Sequence, residues 1–176
     1  MTAVNPHQGD FAIPRSSGGY VVGRLSARAM VWVEEATGRK VDEIWQGYVV
    51  DIAQMGEGGG RPSMSVRDVA ATLWAGIENY RRLERLPGPE YTIDDGYDLV
   101  DDLGLDQAYG AALGLIQLSA PFRKRTDELD EMARAAGEPS PVDPLRAAAA
   151  AAANGTGGSG SPSSTSPVST LPPPGP

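Results

Sequence analysis

The sequence predicts a mainly α protein: a small helical domain of about five helices, opened by a short N-terminal β-hairpin and followed by a disordered C-terminal tail. Three observations carry this. Apolar residues recur at three- and four-residue steps through most of residues 26–118. A Ser, Thr or Asp stands ahead of these runs and a glycine behind several of them, which is the punctuation of helix ends. From residue 138 onward the chain turns to Ala, Gly, Ser and Pro. Residues 1–9 are therefore expected as a flexible lead-in, 10–137 as the folded unit, and 138–176 as an alanine run and disordered tail.

The elements follow in order. "DFAIP" and "GYVVG" alternate Phe11 with Ile13 and Tyr20 with Val22 around "RSSGG", the pattern of a hairpin whose turn glycines take positive φ. Two isolated strands are marginal in water, so the hairpin must lean on the helices. The first helix is expected from the N-cap Ser26 to Gly38, with Ala29, Met30, Val33 and Ala36 on one face. The second starts near Asp42 and runs through Ile44, Trp45, Tyr48, Val49 and Ile52 to the loop "GEGGGRPS". Ser65 and Asp68 have capping-box spacing and open the third, whose stripe runs from Val66 to Tyr80. Thr92 and Asp95 repeat that spacing ahead of a short fourth helix that Gly104 ends. A fifth runs from Asp106 through Ile116, and Pro121 should kink or break it before the charged stretch "FRKRTDELDEMARAAG".

Composition narrows the function. The 176 residues carry a net charge of −8 and a pI near 4.6, which disfavours a nucleic-acid partner, since phosphate binding draws on a basic surplus. There is no cysteine, so disulfides, thiolate metal sites and a cysteine nucleophile are excluded, and one histidine, His7, leaves little for a triad or a zinc site. No cofactor and no metal is expected. The N-terminus lacks the basic and apolar regions of a signal peptide and no apolar run reaches a membrane span, so a cytoplasmic, membrane-free protein is expected.

Candidate chemistry is sparse. Glu34 and Glu35, like Asp42 and Glu43, are neighbours on a helix and point about 100° apart, so they read as solvated faces and not as a converging acid–base pair. Asp94, Asp95, Asp98, Asp101, Asp102 and Asp106 have helical spacing, not the alternation of a calcium loop. "GEGGGRPS" lacks the lysine of a phosphate loop. Arg81, Arg82 and Arg85, and "RKR" at Arg123–Arg125, are the basic clusters; Arg81 and Arg85 have the spacing to share a helix face. Trp32, Trp45 and Trp74 are the large anchors, and a tryptophan left exposed would mark a partner site. Trp45, Trp74, Arg81 and Arg85 are the residues expected to bind a partner. The protein is not expected to be an enzyme.

The serial order of these elements is informative. A strand pair, "LSARAMVWVEEATGRKVDEI", a loop, "SVRDVAATLWAGI" and "YTIDDGYDLVDDLGLDQAYGAALGLI" follow one another. This resembles the small tail assembly chaperones of tailed phages and phage-derived gene transfer agents. Ser65, Arg67, Asp68 and Val69 stand at that family's "S-x-R-D-V" helix start, and Thr92 to Gly104 at its "T-x-(D/E)-(D/E)" helix ending in Leu-Gly. The likeness covers about residues 10–118; the "GEGGG" loop, "RRLERLPGPE" and the tail depart from it. It implies a non-enzymatic chaperone in the cytoplasm of an infected bacterial host, binding the tape-measure protein while tail-tube subunits polymerise. The tail-tube protein and a second copy of the chain are further expected partners. The competing expectations are a structural minor tail or head–tail virion protein, and a small nucleic-acid-binding regulator using the arginine clusters.

Overall fold

The computed structural model describes residues 4–47 and 65–136. Tyr48, Val49 and Ile52, the "GEGGGRPS" loop and the expected disordered tail lie outside the described residues. Strands β1 (Asp10–Pro14) and β2 (Tyr20–Arg24) lead into helices α1 (Ala27–Thr37), α2 (described over residues 41–47), α3 (Val66–Leu83), α4 (Ile93–Leu103), α5 (Leu105–Leu118) and α6 (Ala120–Ala136). The charged stretch after Pro121 is thus a sixth helix.

Helix α3 is the axis of the domain. Its capping box forms in both halves: Asp68 N–H donates to Ser65 Oγ at 3.2 Å and Ser65 N–H to Asp68 at 3.0 Å. Asp68 also pairs with Arg39 at 2.7 Å, so the same carboxylate ties the α1–α2 corner to the start of α3. An amphipathic stripe was the expectation; the structure buries nearly every residue from Asp68 to Tyr80, Trp74 excepted. The hairpin, α1, α4 and α5 all pack on it. Ala70, Ala71, Ala75 and Gly76 make this feasible, because small residues let neighbours approach on every side.

The other caps behave as their local chemistry dictates. Ser26 accepts the Ala29 N–H, and Gly38 closes α1 in the left-handed region, φ 73°. The Asp95 carboxylate accepts from both the N–H and the hydroxyl of Thr92. Gly104, at φ 76° and ψ 152°, is the single residue between α4 and α5. Pro121 falls in the first turn of α6, where its missing N–H costs nothing, after Ser119 takes an extended conformation at ψ 140°.

The hairpin pairs Asp10 with Arg24 and Pro14 with Tyr20, antiparallel, with Gly18 and Gly19 at positive φ in the turn. It leans on the helices through close approaches. The Phe11 ring occupies the space a Cβ on Gly114 would need, and Leu115 lies against both Gly23 and Gly76. A polar latch closes its open end: Arg24 pairs with Asp10 at 2.5 Å and Glu84 at 3.2 Å, and Asn79 donates to the Arg24 carbonyl at 2.7 Å. Its turn is held by Asp102 of α4, which accepts from Ser16 and pairs with Arg15 at 3.4 Å.

Residues 4–9 belong to the stretch expected as a flexible lead-in. Pro6–Gln8 form a 3₁₀ turn capped by Asn5, and Arg123 of α6 donates to the Pro6 and His7 carbonyls at 2.8 and 3.1 Å. A long-range arginine, invisible to local sequence, provides the tie. Among the described residues no helix is long and apolar enough to cross a membrane.

Candidate functional site

The chemistry of the domain concentrates at the C-terminal end of α3, around a residue that the sequence did not single out. Glu78 is 1% exposed. Its Oε2 accepts from Arg81 Nε at 2.7 Å and from the Tyr91 N–H at 3.0 Å; its Oε1 accepts from Arg81 at 2.7 Å and Arg82 Nε at 2.5 Å. Burial alone would raise its pKa. The two guanidinium groups and the Tyr91 N–H more than reverse that and hold it at about 2. Glu90 adds a second anion, 3.3 Å from Arg82. The basic patch expected at Arg81 and Arg82 is therefore neutralised within the protein.

Tyr91 becomes a strut. Its N–H is held by Glu78, and its carbonyl accepts from Trp74 Nε1 at 2.7 Å. Both polar backbone groups of one loop residue are tied to side chains of the same helix, which fixes the 84–92 return segment against α3.

A groove opens on each side of this strut. One, ≈ 480 Å³, lies between β2 and the return segment, with Tyr20, Tyr80, Tyr91, Pro87 and Pro89 among its walls. The other, ≈ 430 Å³, is built on Trp32 and Trp74, with Arg67, Arg82, Glu90 and Ile93 around them. The two indoles lie 6.3 Å apart between centroids, tilted by 31°. The Arg82 guanidinium, 4.9 Å from the Trp32 ring, stacks over it while remaining bonded to Glu78. Trp32 and Trp74 are half-buried, so an apolar surface is presented by side chains already locked in place.

The four residues expected to bind a partner separate. Trp74 and Arg81 reach the site, one at each groove. Trp45 does not: it is 3% exposed, its ring 5.7 Å from Phe122 with Arg125 over its face, because α6 folds back across α2. Arg85 does not share a helix face with Arg81, because α3 has ended. The Arg85 N–H bonds to the Arg82 carbonyl and the Leu86 N–H to the Arg81 carbonyl, a Schellman closure with Arg85 at φ 51° in the position glycine usually takes. Its side chain is exposed and makes no ion pair among the described residues.

The remaining candidates have structural work. Glu34 accepts the Val41 N–H at 3.3 Å and so caps α2, whereas Glu35 is exposed. Asp42 pairs with Arg125. In the acidic series Asp95 caps α4, Asp102 holds the hairpin turn, and Asp94, Asp98, Asp101 and Asp106 face solvent. Among the described residues no three acidic or histidine side chains converge on a point where a metal would sit. Two residues were missed. The signal for Glu78 is in "ENYRR", which sets a glutamate three and four residues before two arginines on one helix face. Trp32 reads from the sequence as an anchor; nothing local says that it meets Trp74.

Compared with family models, curated proteins and solved structures, the chain matches none.

Proposed function

We propose that the chain is a non-enzymatic phage tail assembly chaperone that binds the tape-measure protein through the Trp32–Trp74 cleft. The observation that supports this best is the cleft itself: two half-buried indoles on rigid helices, rimmed by arginines and glutamates that compensate one another. An amphipathic helix laid into such a groove buries its apolar face on the indoles while its flanks meet charges of both signs. A tape-measure protein is long, helical and partly apolar, and its exposed stripe is what needs covering before tube subunits enclose it. Truncation of a central tryptophan anchor costs an interface about 2 kcal/mol or more.

Co-expression with a long phage tape-measure protein tests this. The tape-measure protein should stay soluble with the wild-type chain and precipitate with Trp32→Ala, provided that the variant keeps its helical circular dichroism. Arg67→Glu, at an exposed rim residue, should weaken the pull-down only several-fold. Solubility that does not depend on this chain would sink the proposal. Mass spectrometry of purified virions separates it from a structural role, because a chaperone leaves the finished particle; abundant peptides from residues 10–137 would favour a minor tail or head–tail protein.

A further inference from the structure

The groove on the other side of the strut is built differently, and its chemistry matches a segment elsewhere in the same chain. We propose that this groove binds a polyproline II segment, and that its occupant is the chain's own Leu171–Pro176, "LPPPGP".

The walls favour such a ligand. Tyr20 and Tyr91 are 45% and 37% exposed, and with Pro87 and Pro89 they form an open surface of rings. Aromatic-lined grooves dock polyproline helices because proline rings pack flat on them and the ligand loses little entropy on binding. A polyproline helix also makes no internal hydrogen bonds, so its carbonyls need outside donors. Tyr80 is the buried tyrosine among the groove's lining residues. Tyr80 is 3% exposed, and its hydroxyl makes no hydrogen bond among the described residues. Burial and the nearby Asp10 and Glu84 raise its pKa, which keeps it a donor.

The occupant follows from proline continuity and reach. "EPSPVDP" at residues 138–144 is the other proline-rich run after the folded unit, but its prolines at 139, 141 and 144 are never adjacent, so it lacks a continuous row of rings. "LPPPGP" is uncharged and locks three successive φ angles. Fully extended, residues 137–170 span on the order of 100 Å, several times the radius of about 14 Å for a folded unit of this size. Tethering within one molecule supplies an effective concentration of about a millimolar, so a weak contact suffices to populate the bound state. The site differs from the tryptophan cleft, and either proposal can fail without the other.

The chain has no cysteine, so Ser169→Cys in the full-length protein takes a single nitroxide label. The label should cut the amide signals of Val21, Val22, Leu86 and Gly88 several-fold, independently of protein concentration. Replacing Pro172, Pro173 and Pro174 with alanine together should restore them. Tyr80→Phe should lower the bound-to-free ratio about two- to tenfold, the worth of one hydrogen bond, with the melting temperature little changed. Signals that are unaffected, or weakened evenly over the whole domain, would overturn the proposal. Weakening at the groove that grows with protein concentration would overturn it too, by assigning the occupant to another molecule.

Discussion

Replacing Glu78 by glutamine tests the hub that separates the two grooves. The substitution keeps size and shape and removes one charge. In the wild type the folded carboxyl titrates near 2, against an ordinary value of 4.5. At 1.36 kcal/mol per pKa unit, that difference corresponds to about 3 kcal/mol of stability at neutral pH. Glu78 is almost fully buried, so solvent screens its side of the interaction little, but Arg82 is 46% exposed and regains water when its partner is lost. The expected cost of Glu78→Gln is therefore about 2–3 kcal/mol near pH 7, or roughly 10 °C in melting temperature for a domain of this size. The sign of the pH dependence is definite. A depressed carboxyl pKa stabilises the fold above the unfolded value of 4.5, and that stabilisation is lost as pH falls through about 2. Urea titrations followed by tryptophan fluorescence at pH 6, 4 and 2 should show the two proteins converge, because every other acid titrates in both. A gap that stays constant from pH 6 to pH 2 would refute the assignment, as would a variant as stable as wild type at pH 6.

Three further outcomes are expected. A Cβ on Gly96 would stand 2.2 Å from the Ala70 carbonyl oxygen, backbone that cannot rotate aside, whereas one on Gly76 meets only Leu115 methyls at 2.8 and 3.2 Å. Both alanines gain about 1 kcal/mol of helix propensity, so Gly96→Ala should lose a net 2 kcal/mol or more and Gly76→Ala no more than about 1; the reverse order in chemical denaturation would contradict the packing of α4 on α3. Arg85→Gly should raise stability by about 0.5–1 kcal/mol, because relief of the left-handed strain exceeds the added freedom of the unfolded chain; calorimetry showing no gain would mean that the Schellman closure does not persist in solution. Asp102→Ala should speed amide exchange at Ser16 while leaving the global melting temperature within about 2 °C, since the contact is at the surface.

Local and non-local interactions divide what could be read in advance. The caps at Ser26, Ser65 and Thr92, the glycine stops at Gly38 and Gly104, and the break at Pro121 were all legible, because each is decided by hydrogen bonds or sterics within about four residues. Arg85 escaped the same logic because its left-handed φ goes against its own preference and is imposed by the return loop. The contacts of the glycines inside helices were not legible. Gly96 and Gly114 are costly in a helix, and only the neighbouring Ala70 backbone and Phe11 ring explain them.

By itself the sequence determined the hairpin, the order of the helices and the absence of cysteine chemistry, since periodicity, capping and composition act along the chain. Tertiary structure decided which tryptophan is core and which is surface. Trp45 and Trp74 both sit on helices beside apolar neighbours, yet α6 covers the first, while Trp32, brought from α1, leaves the second half-open. It likewise decided that Glu78 is a buried hub: a carboxylate facing water would read identically until Tyr91 folds back to close it off. Burial is a property of what arrives from elsewhere in the chain, and no local pattern encodes it.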